Sequence, residues 1–225
     1  MIALSEVRFA YPDGFALHVP SLVVEAGERV AVVGPSGSGK TTLLNLVSGI
    51  AVPREGTIEA AGSDVAAMPD AARRAHRAAH IGFVFQEFAL VDYLTALGNV
   101  LYPYRVGRGL KLDAEARERA ATLLDACGLS GKHARHPAQL SQGERQRVAI
   151  CRALVTRPAV ILADEATGNL DPANKEGVLD LLFARAAETG ASVLAVTHDH
   201  ELLPRFDRTV DFAAFRDIET MKAAA

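Results

Sequence analysis

The stretch that most constrains this chain runs from Gly34 to Thr42, reads GPSGSGKTT and fits the pattern G-x-x-x-x-G-K-[ST]. The β-branched run Arg29 to Val33 precedes it and predicts a buried parallel strand. The run Leu43 to Ser48 follows it and predicts a helix that ends at Gly49. A glycine loop between a strand and a helix N-terminus lets backbone N–H groups converge on an anion, and the helix dipole adds partial positive charge. The sequence therefore predicts a phosphate-binding loop.

The side chains of this loop have separate predicted roles in binding a nucleoside triphosphate. We expect Lys40 to reach the β- and γ-phosphates, the Thr41 hydroxyl to ligate Mg²⁺ and Thr42 to lie near the α-phosphate. A flexible loop rich in Gly and Ser is the alternative, but it does not explain the flanking strand and helix. A dinucleotide-binding G-x-G-x-x-G pattern does not match from Gly34. The predicted nucleotide-binding residues of the loop are Gly34, Pro35, Ser36, Gly37, Ser38, Gly39, Lys40, Thr41 and Thr42.

The composition favours a globular protein and gives no sign of nucleic acid as a partner. The chain has 225 residues, of which 49% are apolar, so it can bury the core of one large or two small domains. Its net charge of −3 gives no general reason to expect nucleic acid or an anionic membrane surface. Cys127 and Cys151 are the only cysteines, and we expect both to be small buried thiols in a reducing compartment.

The sequence also shows no segment for export or for membrane insertion. Glu6 and Arg8 come early, and no apolar region typical of a signal peptide surrounds them. No stretch approaches the 18 or so uninterrupted apolar residues of a spanning helix. We therefore expect a soluble cytoplasmic protein that is peripheral on the inner membrane only through a partner.

The N-terminal part predicts a small antiparallel β layer. Ile2 to Phe9 and Phe15 to Val24 are strand patterns, and the turn Tyr11 to Gly14 separates them. Tyr11 stands at this turn, where an exposed aromatic ring can stack on a nucleotide base. The alternative is a surface tyrosine that covers the sheet edge.

Helical patterns dominate two later parts of the chain. Met68 to Ala79 predicts an exposed helix, and we expect His76 and His80 to lie on its solvated basic face, not to bind a metal. After Gln86, strand patterns disappear, and helical periodicity marks the segments 112–127 and 141–155. This change predicts a helical insertion between two strands of the core.

Three predicted strands end in residues suited to phosphate chemistry. They end at Val33, Ala163 and Val196, and the carboxyl ends of parallel strands meet at one edge of a sheet. Asp164 follows the second strand and is suited to hold Mg²⁺ through water. Glu165 is suited to orient and polarise an attacking water. Two acidic residues at an ordinary strand end are the alternative.

The stretch Leu140 to Arg147, LSQGERQR, opens a predicted helix. Ser141 suits the N-cap, and Glu144 completes a capping box three residues later. The simplest interpretation is this capping box alone. A serine, a glycine and a helix N-terminus also form a second anion-binding site, which suggests that two copies of the chain meet over the nucleotide.

Taken in order along the chain, these patterns resemble the ATP-binding-cassette (ABC) ATPases over nearly the whole sequence. The resemblance rests on seven motifs: the adenine-stacking aromatic, Walker A, Q-loop, signature, Walker B, D-loop and switch histidine. The matching residues, in that order, are Tyr11, Gly34 to Thr42, Gln86, Leu140 to Gln146, Ala163 to Glu165, Gly168 to Asp171 and His198.

The resemblance implies that ATP and Mg²⁺ bind at a head-to-tail homodimer interface. Ser141 and Gly143 of one copy would face the γ-phosphate that Lys40 of the other copy holds. The implied catalytic residues are Glu165, His198, Gln86 and Lys40. The implied Mg²⁺ ligands are Thr41, Gln86 and Asp164, and the nucleotide contacts outside the phosphate loop are Tyr11, Gln86, Ser141, Gly143 and Asp171.

The implied fold class is α/β, a P-loop NTPase (RecA-like) core with a parallel sheet, an N-terminal antiparallel β layer and an inserted α-helical subdomain. Residues 1–225 would form a single ABC ATPase domain, with 1–86 and 156–225 as the core and 87–155 as the helical signature subdomain. The apolar segment Gln86 to Tyr104 would form the groove for an integral membrane permease subunit. Burial in the helical core is the alternative for about half of its apolar residues.

Three stretches resemble a subgroup that serves lipoprotein release, macrolide and peptide export, and cell-division signalling. They are His80 to Gln86, Leu94 to Val100 and Leu162 to Asp171. Gly98 and Ala166 depart from the subgroup, which usually has an acidic residue and a proline there. The implied function is ATP hydrolysis that drives export or extraction of lipoprotein, lipid, peptide or drug by a membrane subunit. The alternatives are a regulatory scaffold, a soluble ABC ATPase of DNA repair or translation, and a small-molecule kinase, which shares only Walker A.

Overall fold

Two β-sheets and seven α-helices make up this computed structural model, which describes residues 1–12, 14–166 and 172–215. The strands are β1 (Ile2–Ala10), β2 (Ala16–Val24), β3 (Arg29–Val33), β4 (Glu55–Ala60), β5 (Ser63–Asp64), β6 (Ile81–Val84), β7 (Val160–Asp164), β8 (Ser192–Val196) and β9 (Arg208–Asp211). The helices are α1 (Lys40–Val47), α2 (Asp70–His80), α3 (Ala96–Val100), α4 (Tyr102–Val106), α5 (Ala114–Ala126), α6 (Gln142–Leu154) and α7 (Pro172–Thr189). Three short 3₁₀ segments are Pro137–Gln139, His200–Arg205 and Phe212–Phe215.

Five strands form a parallel sheet in the order β6-β7-β8-β3-β9. β3 lies between β8 and β9, so that Val30 is opposite Leu194 on one side and Arg208 on the other. β7 and β8 are short apolar runs buried along almost their whole length, as expected where other layers cover both faces of a parallel sheet. Because all five strands run in one direction, the carboxyl ends of β3, β7 and β8 lie at the same edge.

The two faces of this sheet pack against different layers, as the alternation along β7 shows. Val160 and Leu162 belong to the core that includes α1 and the antiparallel sheet. Ile161 and Ala163 belong to the core that includes α6 and α7. The parallel sheet is therefore the middle layer, and the edge that carries the site is fixed from both faces.

Four strands form the antiparallel sheet, in the order β2-β1-β4-β5. Ile2 pairs with Val24 on one side and with Ala60 on the other. Ile2 and Leu4 point into the core, whereas Ser5 is exposed, so one face of the sheet is buried and the other is solvated. This sheet is the antiparallel layer that the sequence predicts.

Between β6 and β7, the regular elements of the chain are all helical. α5 and α6 agree with the two predicted helices to within two residues at each end. Leu124, Val148 and both cysteines belong to the core of this helical part, and the expectation that Cys127 and Cys151 are buried thiols is confirmed.

The sequence patterns do not predict α3 and α4, which have five residues each. The buried side chain of Asn99 holds the chain that leads into α3. Its Oδ1 accepts from the Val91 N–H at 2.7 Å, and its Nδ2 donates to the carbonyls of Val91, Leu94 and Thr95 at 3.1 to 3.2 Å. One amide therefore forms hydrogen bonds with four backbone groups of this segment.

The prediction of a solvated histidine face on α2 is wrong for His76. The Nε2 atom of His76 lies 3.0 Å from the Ala60 carbonyl oxygen, and burial lowers the pKa of this imidazole. Arg77 is half-buried on the same helix and donates to the Ser48 carbonyl at 3.2 Å. The helix therefore lies against the fold along one side, although none of its residues is fully buried.

Candidate nucleotide-binding site

A cavity of about 460 Å³ lies at the carboxyl ends of β3, β7 and β8, where the sequence predicts the site. Its walls come from the turn after β1, the phosphate loop, the segment after β6 and the ends of β7 and β8. The lining residues are Tyr11, Phe15, Ser36, Gly37, Gly39, Lys40, Thr41, Thr42, Gln86, Glu165 and Val196. The fold therefore brings together most of the predicted site residues in a single chain.

Two glycines give the phosphate loop a shape that other residues rarely adopt. Gly37 has φ of 73° and Gly39 has φ of 101°, both in the left-handed region. A Cβ atom at Gly39 would lie 2.5 Å from the Phe15 ring, so that position has no room for a side chain. The Ser38 hydroxyl is buried and has no hydrogen-bond partner among the described residues. A buried donor without a partner suits a loop that binds phosphate oxygens.

Lys40 begins α1 and is held inside the loop. Its ammonium group donates to the carbonyls of Gly34 and Pro35, both at 2.8 Å, and only 8% of the residue is exposed. No side chain caps the N-terminus of α1, and its first turn contains no acidic residue. The helix N-terminus and the ammonium group therefore present positive charge to the cavity.

Asp164 and Thr41 form the oxygen-rich side of the site. Burial and the neighbouring Glu165 carboxylate raise the pKa of the Asp164 carboxyl, while the Thr41 hydroxyl and the Lys40 ammonium group counteract this rise. Gln86 is exposed and lines the same cavity. The described residues contain no cluster of three or more Asp, Glu, His or Cys side chains that would hold a metal ion alone. The donor set is oxygen only, which fits Mg²⁺ that also binds nucleotide phosphates.

Glu165 and His198 meet across the ends of β7 and β8. His198 Nδ1 lies 3.1 Å from Glu165 Oε1, and the Glu165 side chain is 22% exposed against 63% for His198. Glu165 has φ of 45°, and its N–H donates to the Val196 carbonyl at 3.0 Å. The left-handed backbone turns the Glu165 side chain out of the strand direction, into the cavity that it lines.

An ion pair that the sequence does not predict supports the loop of His198. Lys175 Nζ donates to Asp199 Oδ2 at 2.7 Å, and the Asp199 N–H donates to the Thr197 hydroxyl at 3.0 Å. The Lys175 ammonium group lowers the pKa of Asp199. Lys175 lies in the first turn of α7, so the pair joins α7 to the loop of the predicted switch histidine. Its partners are 24 residues apart, and no local pattern signals the contact.

Tyr11 lies at the cavity with two further aromatic rings. Its ring is 4.7 Å from Phe9 in an edge-to-face arrangement and 6.0 Å from Phe15. Tyr11 is 37% exposed, which leaves part of the ring accessible. Sequence reasoning missed Phe15, although an aromatic residue at the far end of the same turn was a signal for it.

The signature residues do not line this cavity. Ser141 is exposed at the start of α6, and Gly143 is partly exposed. The predicted capping box is confirmed, because the Glu144 N–H donates to Ser141 Oγ at 3.3 Å and the Ser141 N–H to Glu144 Oε2 at 2.8 Å. Asp171 and the rest of the predicted D-loop lie outside the described residues.

A second cavity of about 410 Å³, here called the groove, lies between α2, β6, α4 and α6. Ala89, Tyr102 and Pro103 from the predicted partner segment line it. Leu90 and Leu97 pack instead against the core of the helical part, while Tyr93 is 79% exposed. The expectation that the apolar residues of this segment divide between core and surface is therefore confirmed.

Comparison with known proteins decides the family. The sequence profile of the family described as "ABC transporter" matches residues 17–168. This chain belongs to that family.

Relatives of this ABC ATPase span most of its length. The lipoprotein-releasing system ATP-binding protein LolD of Pseudomonas syringae pv. tomato is 43% identical, over 88% of this chain and 86% of the relative. The macrolide export ATP-binding/permease protein MacB of Rhodopirellula baltica is 45% identical over 84% of this chain, and the match spans 28% of that relative. The methionine import ATP-binding protein MetN of Caulobacter vibrioides is 41% identical, over 97% of this chain and 66% of the relative.

Solved structures agree with this ABC ATPase in fold. The dimeric structure of MJ0796, a bacterial ABC transporter cassette, has a TM-score of 0.82 and 36% identity, and the match covers 95% of each chain. A dimeric post-hydrolysis state of MJ0796 bound to ADP and Pi has a TM-score of 0.80 and 34% identity, with 95% of each chain covered. The predicted α/β fold and the predicted class of ATP-binding ATPase are confirmed. Across the described residues, no helix combines the length and apolar character needed to cross a membrane.

Proposed function

We propose that this ABC ATPase is the energy subunit of a membrane transporter or mechanotransmission complex. In this proposal it hydrolyses ATP to ADP and phosphate, and a partner permease uses the cycle to export or extract lipoprotein, lipid, peptide or drug. The chain would lie in the cytoplasm, peripheral on the inner membrane through the permease. The names of the LolD and MacB relatives support this subgroup.

The observation that carries the proposal is the convergence of the phosphate loop and Glu165 on one cavity. The loop N–H groups, the Ser38 hydroxyl and Lys40 would bind the β- and γ-phosphates of ATP. Glu165 would accept the proton of the attacking water, and His198 would hold the Glu165 carboxylate by the contact at 3.1 Å. Thr41, Asp164 and Gln86 would hold Mg²⁺, which supplies charge neutralisation on the phosphates.

The site would be completed by a second copy of the chain. Ser141 and Gly143 are accessible but absent from the cavity that contains Lys40, so a head-to-tail homodimer would bring them to the γ-phosphate. The helix N-terminus at Ser141 adds the positive end of a dipole. We further propose a single domain over 1–225, with 1–86 and 156–225 as its core and 87–155 as the helical subdomain that moves with nucleotide state.

Phosphate release by the purified full chain tests this proposal. If the site is composite, activity per molecule rises with protein concentration until the dimer saturates, whereas a site complete in one chain gives constant specific activity. The Glu165→Gln variant is the control for contaminating ATPases. A chain that binds ATP but releases no phosphate with or without a membrane subunit would favour the regulatory scaffold.

A further inference from the structure

The backbone of the loop that follows β8 is held on both sides of His198. Before this residue, the Thr197 N–H donates to the Val32 carbonyl of β3 at 3.2 Å. After it, the Asp199 N–H donates to the Thr197 hydroxyl at 3.0 Å, and Asp199 Oδ1 accepts from the Glu201 N–H at 3.2 Å. The His198 side chain itself is 63% exposed and lies 3.1 Å from a carboxylate oxygen of Glu165. Its position therefore depends on how firmly its two neighbours in the chain are held.

The other oxygen of the Asp199 carboxylate binds Lys175. The Nζ atom of Lys175 lies 2.7 Å from Asp199 Oδ2, and the two side chains are 25% and 13% exposed. Lys175 comes one turn before Val178 and Leu179 on α7, which are both buried in the core that includes residues of β7 and β8. The ammonium group therefore belongs to a helix that the core anchors, and it ties the loop of His198 to that helix.

The electrostatics of Asp199 show what loss of this tie would do. The hydrogen bond from Lys175 is the main cause that lowers the pKa of Asp199, and the Glu201 N–H and the charge of the His198 imidazole lower it further, against the effect of burial. Without the ammonium group, a carboxylate that is largely removed from water would lack its counter-ion. Such a charge is costly, so the loop would move to bring the carboxylate into water. His198 precedes Asp199 directly and would move with it.

We propose that Lys175 is a positioning residue for ATP hydrolysis, which holds His198 against Glu165 through Asp199. This inference rests on the proposed function, in which His198 holds the Glu165 carboxylate, and it adds a residue from outside the cavity. Neither Lys175 nor Asp199 lines the nucleotide cavity. Every group that would bind ATP therefore remains when the pair is broken, and only the alignment of Glu165 for the chemical step is affected.

Steady-state phosphate release by the full chain tests this role. Lys175→Met should lower kcat about tenfold and change KM for ATP by less than about twofold, the pattern expected when alignment is lost but binding is kept. Lys175→Arg should restore most of the rate, because a guanidinium group can also pair with Asp199. Adding Asp199→Asn to Lys175→Met should lower kcat no further, since the pair is already broken.

A second ion pair between the same two elements provides a matched control. Arg205, at the end of the 3₁₀ segment that follows His198, pairs with Asp180 of α7. These two side chains are more exposed than the first pair, at 35% and 57%. Arg205→Met should leave kcat unchanged, because this pair lies farther along the chain from His198 and holds no buried carboxylate.

The NMR signals of isotope-labelled histidine rings report the surroundings of His198 without any need for turnover. His198→Ala identifies its signals among those of the seven histidines. Lys175→Met should shift the ring signals of His198, whereas Lys175→Arg and Arg205→Met should leave them close to their parental positions.

A parental kcat and unchanged His198 signals in Lys175→Met would overturn the inference, because the ion pair would then contribute to stability alone. An equal fall in kcat with Arg205→Met would also overturn it, as would a further fall when Asp199→Asn is added. Absence of ATP turnover in the parental chain would contradict the proposed function, whereas the His198 signals still show whether Lys175 sets the position of that ring.

Discussion

Nδ1 of His198 lies 3.1 Å from Oε1 of Glu165, although 33 positions of sequence and the whole of α7 separate the two residues. The contact exists because β7 and β8 are neighbours in the parallel sheet, with Asp164 opposite Val196. Glu165 directly follows β7 and His198 follows β8 after one residue, Thr197, so sheet register sets their separation. The contact therefore depends on the pairing of two interior strands of the parallel sheet.

Glu165→Gln should bind ATP but hydrolyse it very slowly. The amide keeps the size of the side chain and its hydrogen bonding but cannot accept the proton of water. Loss of a general base lowers the rate by about 10²–10⁴-fold, measured as phosphate release under saturating ATP. Glu59→Gln is a suitable control, because Glu59 is exposed on β4. Turnover at the parental rate would show that Glu165 is not the base.

Tyr11→Ala should weaken ATP binding by about 1–3 kcal/mol, the range for loss of one stacked base. The phosphate contacts remain, so the ratio of ATP to GTP affinity should change little. Isothermal calorimetry of the purified chain gives both affinities. Tyr93→Ala serves as control, because that ring is 79% exposed and outside the cavity. Unchanged ATP affinity would show that Tyr11 does not stack on the base and would favour a surface tyrosine that covers the sheet edge.

Ser141→Arg should abolish ATP-driven dimerisation while ATP still binds to the single chain. The bulky cation would fill the space that the γ-phosphate of the opposite copy requires. Loss of the N-cap costs about 1 kcal/mol by itself, and Ser141→Ala measures that part separately. Sedimentation of the variant with ATP and Mg²⁺ measures the fraction of chains that form dimers.

A mixture of Ser141→Arg with Lys40→Ala gives a sharper test of the composite site. A heterodimer of the two variants keeps one site with both halves intact, and its other site loses both. Some dimerisation should therefore return in the mixture although neither variant dimerises alone. If mixing has no effect, the head-to-tail arrangement is wrong.

Lys175→Met should lower stability at neutral pH, by an amount that shrinks in acid. The pKa of Asp199 is lowered in the folded chain, so in the acidic range the unfolded chain binds more protons than the folded one. The stabilisation is complete above the ordinary Asp pKa of about 3.9 and is lost as pH falls through the lowered folded value. Urea unfolding between pH 2.5 and 7 measures it, with the exposed Lys111→Met as control. If the difference in the free energy of unfolding between the parental chain and Lys175→Met stayed constant with pH, the ion pair of Lys175 and Asp199 would not be its cause.

Much of the fold was predictable because its signals are local. The run Arg29 to Val33 is a strand with the predicted bounds, and so is Ser192 to Val196. Glycines, a lysine and β-branched residues within one short window specify the loop that follows. Asp164 and Glu165 were also predictable, since parallel strands place their ends at one edge whatever the order of strands.

The features that sequence reasoning missed depend on contacts between distant residues. A helix of five residues is too short to show periodicity, and α3 is held by the hydrogen bonds of Asn99 instead. His76 was predicted on a solvated face because its neighbours are polar, but Ala60 of the antiparallel sheet lies against it. The segment after Gln86 is rich in apolar residues, and only the packing of Leu90 and Tyr102 shows which side faces the groove.

The position of β3 between β8 and β9 has a consequence for how the chain is made on the ribosome. Both hydrogen-bonding partners of this strand lie in the last 34 residues, and β9 ends at Asp211. At about 5–20 residues per second, the strand before the phosphate loop waits on the order of ten seconds for its neighbours. During that interval the antiparallel sheet can already pair, but the central sheet cannot close. A nascent chain that stops before Ser192 should therefore expose β3. During translation pauses in the final third of the chain, we expect chaperones to bind and proteases to cleave this exposed intermediate.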